Sequence, residues 1–427
     1  MRKIISFLLN KPSFYSISSR LWHVQHSPEL DFTYICNQNN LEDITANIRR
    51  RKGVGDIKLV QQLKRDLDDL NPTDPKYEGA KLKFLSECKN IPNTTHPDII
   101  DYNDEPKIIK HIGEKKEFKF KPKEFHEISK RLNLIRTEQL GYLSGHRSYY
   151  LLGDLANLEH ALTRYTLNNL IQQNFKLITV PDILHRDIIE SCGLNTRGER
   201  TQVYQLDERH GSDLCLSGTS EMALAGFLMN RILSEEKELP LKLATVSRCF
   251  RAETSSIADE KGIYRVHEFT KVEIFIVTKP EESDNMLEEI RNIEEEHFAM
   301  LGIHLRTLDM PPHELGAPAY RKYDIEAWMP GRQIFGEISS CSNCTDYQSR
   351  RLNIKYSKVG GGGTEFVHTL NGTACAVPRM LIALLETYQN DNGTISVPDC
   401  LRRYLGNKDV IRRQKNVPEL MLIKNKK

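Results

Sequence analysis

The stretch Phe269-Thr-Lys-Val-Glu-Ile-Phe-Ile-Val277 is built of β-branched and aromatic residues without a glycine or proline, and it reads as a buried strand. Alternation puts Phe269, Lys271, Glu273 and Phe275 on one face. Glu273 lies between Val272 and Ile274, so its carboxylate is expected to be buried. Such a group is costly unless an Arg, a Lys or a ligand stands beside it. The same strand is therefore a candidate for the core and for a site.

Leu241–Glu253 upstream reads as a second strand, with Ser247, Cys249, Arg251 and Glu253 on one face. Arg251 and Glu253 so placed form a structural ion pair, or they present a guanidinium to a phosphate while the acid reads a polar partner. Met286, Ile290, Ile293 and Met300 recur downstream at helical spacing. A helix near 154–174 and a strand around Leu177–Val180, ending at Pro181, come earlier. Strands and helices do not alternate regularly. The expected fold is α+β, a largely antiparallel sheet flanked by helices.

A chain of 427 residues, 39% hydrophobic and 28% charged, can bury a large core, and it fits neither a disordered nor a collagen-like protein. No run approaches the roughly 18 apolar residues of a membrane-spanning helix, so no membrane partner is expected. The nine cysteines are scattered and odd in number, which suits a reducing compartment. Sixty Lys and Arg stand against 58 Asp and Glu. Residues 1–28 hold four of those cations (Arg2, Lys3, Lys11, Arg20), six serines and no acid, the composition of a mitochondrial transit peptide. The plainer reading is a frayed terminus. Without that stretch, 56 basic residues face 58 acidic ones, so any nucleic-acid binding must rest on local clusters.

Residues 29–92 read as a helical hairpin. Leu41, Ile44, Ile48, Ile57, Val60, Leu63, Leu67 and Leu70 recur in threes and fours, with Gly53 and Gly55 as a weak point. The prolines of Asn71–Pro75 stop the first arm, and Ala80, Phe84, Leu85 and Cys88 mark the second. Arg49-Arg50-Arg51-Lys52 is a solvated face or a phosphate contact. Residues 93–124, rich in Pro, Asn, Asp, Lys and Glu, read as a linker to a body spanning 125–406. Residues 407–427 form a basic tail, and Arg402–Lys427 carries nine cations against two acids. It either faces RNA or is simply solvated.

Three further segments carry chemistry. Leu214-Cys-Leu-Ser-Gly-Thr-Ser-Glu221 ends an apolar run with hydroxyls and an acid before entering a helix. Gly336-Glu-Ile-Ser-Ser-Cys-Ser-Asn343 offers a carboxylate, hydroxyls and an amide, donors suited to a hard cation such as Mg2+. Asn371-Gly-Thr-Ala-Cys-Ala-Val-Pro-Arg379 leads into a helix with Pro378 in its first turn and Arg379 at its entrance. The Cys341/Cys344 pair lacks a second pair at zinc-finger spacing and reads as buried thiols. Gly360–Gly363 lacks the Lys-Ser/Thr of a P-loop and reads as a turn between strands.

Taken together, these segments resemble the class II aminoacyl-tRNA synthetases, and among them the seryl-tRNA synthetases of the mitochondrial kind. The anchors are Gly218-Thr-Ser-Glu221, Cys249-Phe-Arg-Ala-Glu253, Gly262–Glu273, Ala319–Pro330, Gly336-Glu-Ile-Ser-Ser340 and Leu370–Arg379. The hairpin is similar to the family's tRNA-binding arm but shorter.

That resemblance implies activation of L-serine with ATP and Mg2+, then transfer of the seryl group to serine tRNA in the mitochondrial matrix. Arg251 and Arg379 would be the catalytic cations, at the α-phosphate and the γ-phosphate side of ATP. Ala252, Glu253 and Val266-His267-Glu268-Phe269 would hold the adenine, with Phe269 stacking. Glu337, Ile338, Ser339 and Ser340 would complete the ATP site, and Glu337 and Ser340 would coordinate Mg2+. Thr219, Ser220 and Glu221 would receive the serine ammonium end, Glu273 its hydroxyl and Arg251 its carboxylate region, while Asn371 and Thr373 would close the pocket. Arg49, Arg50, Arg51 and Lys52 would meet tRNA, and Pro181 matches the proline of the family's homodimer motif. The alternative is a catalytically inactive paralogue that binds RNA or protein.

Overall fold

The computed structural model describes residues 28–137, 140, 143–198, 201–253 and 262–417. The expected transit peptide, apart from Pro28, and the last ten residues of the tail lie outside that set.

The helical spacing at 41–70 folds as two helices rather than one. Helix α1 (Leu41–Arg50) ends where Lys52 and Gly53 turn to positive φ, and Asp56 restarts the chain as the cap of α2 (Ile57–Asp68), accepting from the Lys58 and Leu59 amides at 3.0 Å. Helix α3 (Tyr77–Lys89) packs on α2, and Ile44, Ile48, Val60, Leu67, Phe84 and Cys88 form their shared core. The hairpin is thus a compact unit of these three helices and the short helical turn Phe32–Ile35, seated against the body, with Arg350 reaching Asp31 and Lys355 reaching Glu29.

The body is organised by one sheet whose strands are β1 (Lys107–Ile112), β2 (Lys176–Leu177), β3 (Leu241–Phe250), β4 (Glu268–Thr278), β5 (Leu305–Asp309), β6 (Arg321–Met329), β7 (Ile334–Asn343) and β8 (His368–Ala376). Their order is β1-β5-β6-β7-β8-β4-β3-β2, and every pairing is antiparallel except the short parallel contact of β2 with β3. The α+β expectation holds. The opening stretch is the inner strand β4, paired along its length with β3 and β8.

Alternation along β4 divides the core in two. Val272, Ile274 and Ile276 face the helices α4 (Asp154–Gln172), α6 (Ser283–Ala299) and α7 (Val377–Thr387). Phe275 and Val277 face a second cluster with Leu224 of α5 (Glu221–Phe227), Leu352, Ile354 and Val367. That second cluster stops short of Glu273, and the open part of the sheet face becomes the floor of a cleft.

Several boundaries differ from expectation. The strand expected to run to Glu253 ends at Phe250, because Ala252 donates to Gln202 O instead of across the sheet and Glu253 has a φ of +40°. The segment 93–124 is no bare linker: Ile99 is fully buried and β1 forms the sheet edge. The expected strand before Pro181 is only Lys176–Leu177. Met300 lies past the end of α6 and is exposed. The tail begins inside the body, where Val410–Ile411 pair with Ile395–Ser396. Cys341 and Cys344 are buried free thiols, and Gly360–Gly363 is a turn between two strands, as expected. Among the described residues no helix is long and apolar enough to cross a membrane.

Candidate active site

Glu273 lies buried beneath the cleft, 4% exposed, and its neighbours Lys271 and Thr373 line the cleft wall. The Thr219 hydroxyl lies 2.6 and 2.7 Å from its two oxygens, and the Ser220 amide and hydroxyl donate to it at 2.6 and 2.5 Å. Lys271 forms an ion pair with it from two positions back on the same strand face. Burial alone would raise the Glu273 carboxyl, but Lys271 and the Ser220 and Thr219 donors outweigh it and hold the group below the ordinary carboxylate range. The expected cationic neighbour is Lys271, which the sequence had placed on the right face without a role.

Beside it, Glu221 opens α5 and accepts from Gln348 Nε2 at 2.5 Å and Asn371 Nδ2 at 2.8 Å. Burial and the nearby Glu273 charge push its carboxyl up to about 7, against the pull of those two amides. Gln348 comes from a separate helix and gave no local signal in the sequence. Asn371 and Thr373 of β8 sit opposite Phe275 and Glu273 in the sheet register, on the site face.

From this end the cleft opens into a cavity of about 580 Å3 lined by Arg251, Glu253, Val266, Phe269, Ser340 and Arg379, among others. Arg251 does not pair with Glu253. Its guanidinium lies 5.3 Å from the Phe269 ring centroid, and its Nε donates to Gly218 O at 3.3 Å. Glu253 is instead held by Arg147 at 3.8 Å and Arg265 at 3.6 Å. Arg379, from the first turn of α7, sits over the Tyr264 ring at 4.6 Å and pairs with Glu337 at 3.1 Å. Burial would raise Glu337, yet Arg379 and Lys322 hold it well below the usual range. Lys322 also pairs with Asp324, whose carboxyl burial and the Glu337 and Glu326 charges push up to about 6.

Glu337 and Ser340 are three residues apart, and a regular strand would aim them at opposite faces. The register of β6 on β7 slips between Ile325–Ser339 and Glu326–Glu337, leaving Ile338 as an extra residue. That bulge lets both oxygen donors line one cavity. Ile338 itself is buried in the core, and the Ser339 hydroxyl donates to Thr373 O at 2.6 Å. No group of three or more His, Cys, Asp or Glu side chains converges as a metal cage among the described residues.

Of the residues expected at the ATP site, three do not present side chains to the cavity, and of the expected serine-site residues only Arg251 and Thr373 line it. Glu268 pairs with Arg248 at 3.2 Å, and Arg248 with Thr270 and Glu159 belongs to the opposite sheet face. His267 Nδ1 meets Tyr204 Oη and Arg251 O, both at 3.0 Å. Ala252 offers only backbone. The charge run on α1 is split as well. Arg49, Arg50 and Lys52 are exposed, but Arg51 is 2% exposed. Its guanidinium donates to Asn93 O at 2.8 Å, Thr94 O at 3.1 Å, Ala317 O at 3.3 Å and to Gly316 O. Arg51 therefore locks the helical unit to the body and has no donor facing solvent for tRNA.

Residues 204–388 match the family described as tRNA synthetase class II core domain (G, H, P, S and T). The chain is 46% identical over 335 residues to the mitochondrial serine–tRNA ligase of Bos taurus, covering 78% of this chain and 64% of the bovine protein. The chain thus spans less than two thirds of that relative. It is 38% identical over 401 residues to the serine–tRNA ligase of Dictyoglomus turgidum, covering 92% of this chain and 93% of the bacterial one. Among solved structures, seryl-tRNA synthetase from Pyrococcus horikoshii complexed with ATP superposes with a TM-score of 0.77 at 30% identity, covering 90% of this chain and 100% of that one.

Proposed function

The chain belongs to the seryl-tRNA synthetases of class II, and from that premise we propose that it activates L-serine with ATP and passes the seryl group to the 3′ end of a mitochondrial serine tRNA. The observation that carries the reading is Glu273, a buried charged carboxylate ringed by hydroxyl donors and paired with Lys271, which lines a cleft that also holds two arginines. Such a carboxylate suits a small hydroxyl-bearing substrate, and the arginines suit polyphosphate.

In the first step the serine carboxylate attacks the α-phosphorus, and pyrophosphate leaves with the electron pair of the broken P–O bond. In the second step a ribose hydroxyl attacks the seryl carbonyl and AMP departs. No protein nucleophile is needed. The residues align the reactants and neutralise charge on phosphate: Arg251 at the α-phosphate, Arg379 toward the γ-phosphate, and Phe269 as the adenine platform. Glu273 accepts the serine hydroxyl, Glu221 and Thr219 take the ammonium, and Asn371 and Thr373 close the pocket. Glu337 and Ser340 fit Mg2+, because the bulge turns a carboxylate and a hydroxyl to one side, a donor set for an ion that keeps phosphate and water ligands. When bound, Mg2+ supplies further charge neutralisation on the phosphates.

Arg49, Arg50 and Lys52 remain the proposed tRNA-facing cations of the arm. A homodimer is supported by exposed Ile171, Leu177 and Ile183, 50%, 50% and 49% accessible, around the edge strand β2 and Pro181. The names of the mitochondrial relatives and the composition of residues 1–28 support a matrix location. Serine-dependent ATP–pyrophosphate exchange tests the enzyme reading. Exchange above background is expected, and its absence in a folded protein would leave the inactive RNA- or protein-binding paralogue.

A further inference from the structure

The run Lys115-Lys-Glu-Phe-Lys-Phe-Lys-Pro-Lys123 interleaves cations with aromatics, and nothing in the proposed chemistry uses it. Two of its lysines are engaged: Lys115 lies over the Trp328 ring at 3.6 Å, and Lys116 over Phe118 at 5.3 Å. Phe120, Lys121 and Lys123 of the run edge a second cavity of about 500 Å3, which shares no lining residue with the cleft beside Glu273. Phe120, Ile128 and Ile395 give it apolar walls, and Lys121, Lys123 and Arg131 give it three cations against one acid, Asp391.

These cations are exposed yet well placed. Gln389 grips the Lys123 backbone from both sides, accepting from its amide at 2.8 Å and donating to its carbonyl at 3.0 Å. The Arg131 guanidinium sits against Gly393, where a Cβ would fall 0.6 Å from Nη2, so only glycine permits that seat. Arg413 donates to Arg131 O at 2.6 Å, which brings the exposed Arg412 and Arg413 alongside. None of Lys121, Lys123 and Arg131 forms an ion pair with a described residue. Phe120 meets Phe118 edge-on at 5.3 Å and 75°, an aromatic pair at the cavity wall.

We propose that this cavity binds a single-stranded stretch of RNA, with a base against Phe120 and flanking phosphates on Lys121, Lys123 and Arg131. Cations that lack acidic partners supply phosphate affinity, and an aromatic between them supplies sequence-tolerant stacking. A purely anionic small ligand would need the cations but not the apolar walls. The inference deepens the reading of the chain as a tRNA-charging enzyme and names a second place where it holds its RNA.

The test uses the full chain, a serine tRNA transcript and a short oligouridylate. Lys121→Glu with Lys123→Glu is expected to weaken binding of both RNAs about tenfold or more, and to lower the slope of log K against log salt by about 1.4 for the oligouridylate. Phe120→Ala is expected to weaken the oligouridylate by about fivefold or more. Serine-dependent pyrophosphate exchange stays unchanged in all of them. Lys121→Glu alone, on an exposed side chain, guards against misfolding of the double variant. Unchanged RNA affinity and salt slope would overturn the proposal, and so would inorganic phosphate competing as strongly as the oligouridylate. If the parent chain lacks exchange but its RNA binding responds to these variants, the synthetase reading falls and this one stands.

Discussion

Glu273 is a buried carboxylate already satisfied by its own neighbours. Its oxygens already accept from Thr219 and Ser220 and pair with Lys271, so a bound serine hydroxyl adds to or replaces one of these donors rather than rescuing an orphan. Discrimination against alanine then rests on one charge-assisted hydrogen bond, and kcat/KM for alanine in pyrophosphate exchange is expected to fall by roughly 10- to 150-fold. A loss of about 10,000-fold would mean that serine binding strips Glu273 of its internal partners. The neighbouring Glu221 carries the pH dependence. With its carboxyl raised to about 7, the charged form that can receive an ammonium dominates only above that pH. The serine KM should therefore rise as pH drops from 8 toward 6, and Glu221→Gln should raise KM while flattening the profile. Steady-state exchange across that range checks both points. These partners explain what the sequence left unread. It exposes Glu273 as a buried acid on a strand, but Gln348 arrives from a distant helix that no local pattern links to Glu221.

At the scale of elements, the helical unit is defined by its interruption. Apolar spacing alone promises one long helix through 41–70, and the two glycines mark only a soft spot. The break is complete because Lys52, Gly53 and Gly55 take positive φ and Asp56 caps a new start. The turn carries Arg51 into the body, a placement invisible in a run of four cations. Arg51→Ala should cost about 3 kcal/mol, since a charged donor to four backbone carbonyls is removed. Arg49→Ala, on the exposed face, should stay within about 0.5 kcal/mol. Urea unfolding monitored by circular dichroism compares the two, and equal midpoints would contradict the docking described. The edge strand β1 escaped notice for a different reason: it pairs on one side only and is largely exposed, so its residues show no alternation of apolar and polar.

For the whole molecule, the sheet was legible because its inner strands are apolar and its site residues sit in motifs with distinct chemistry. The ends of strands were not, since a strand ends where a backbone bond is diverted, as Ala252 is toward Gln202. The exposed apolar residues around β2 belong to the same scale. Leu177→Asp together with Ile171→Asp should convert the proposed dimer to a monomer in sedimentation velocity, and an unchanged sedimentation coefficient would count against a subunit contact at this face. One small irregularity constrains the variation this architecture can accept. Because the extra residue at Ile338 sets the parity of everything on either side of it, the strand tolerates a change of letter there better than a change of length. Ile338→Val only thins the packing, whereas deletion of that codon would rotate Glu337 toward the helix layer or drag Ser340 after it. Length, more than side-chain identity, is what this strand must keep for both donors to share one side.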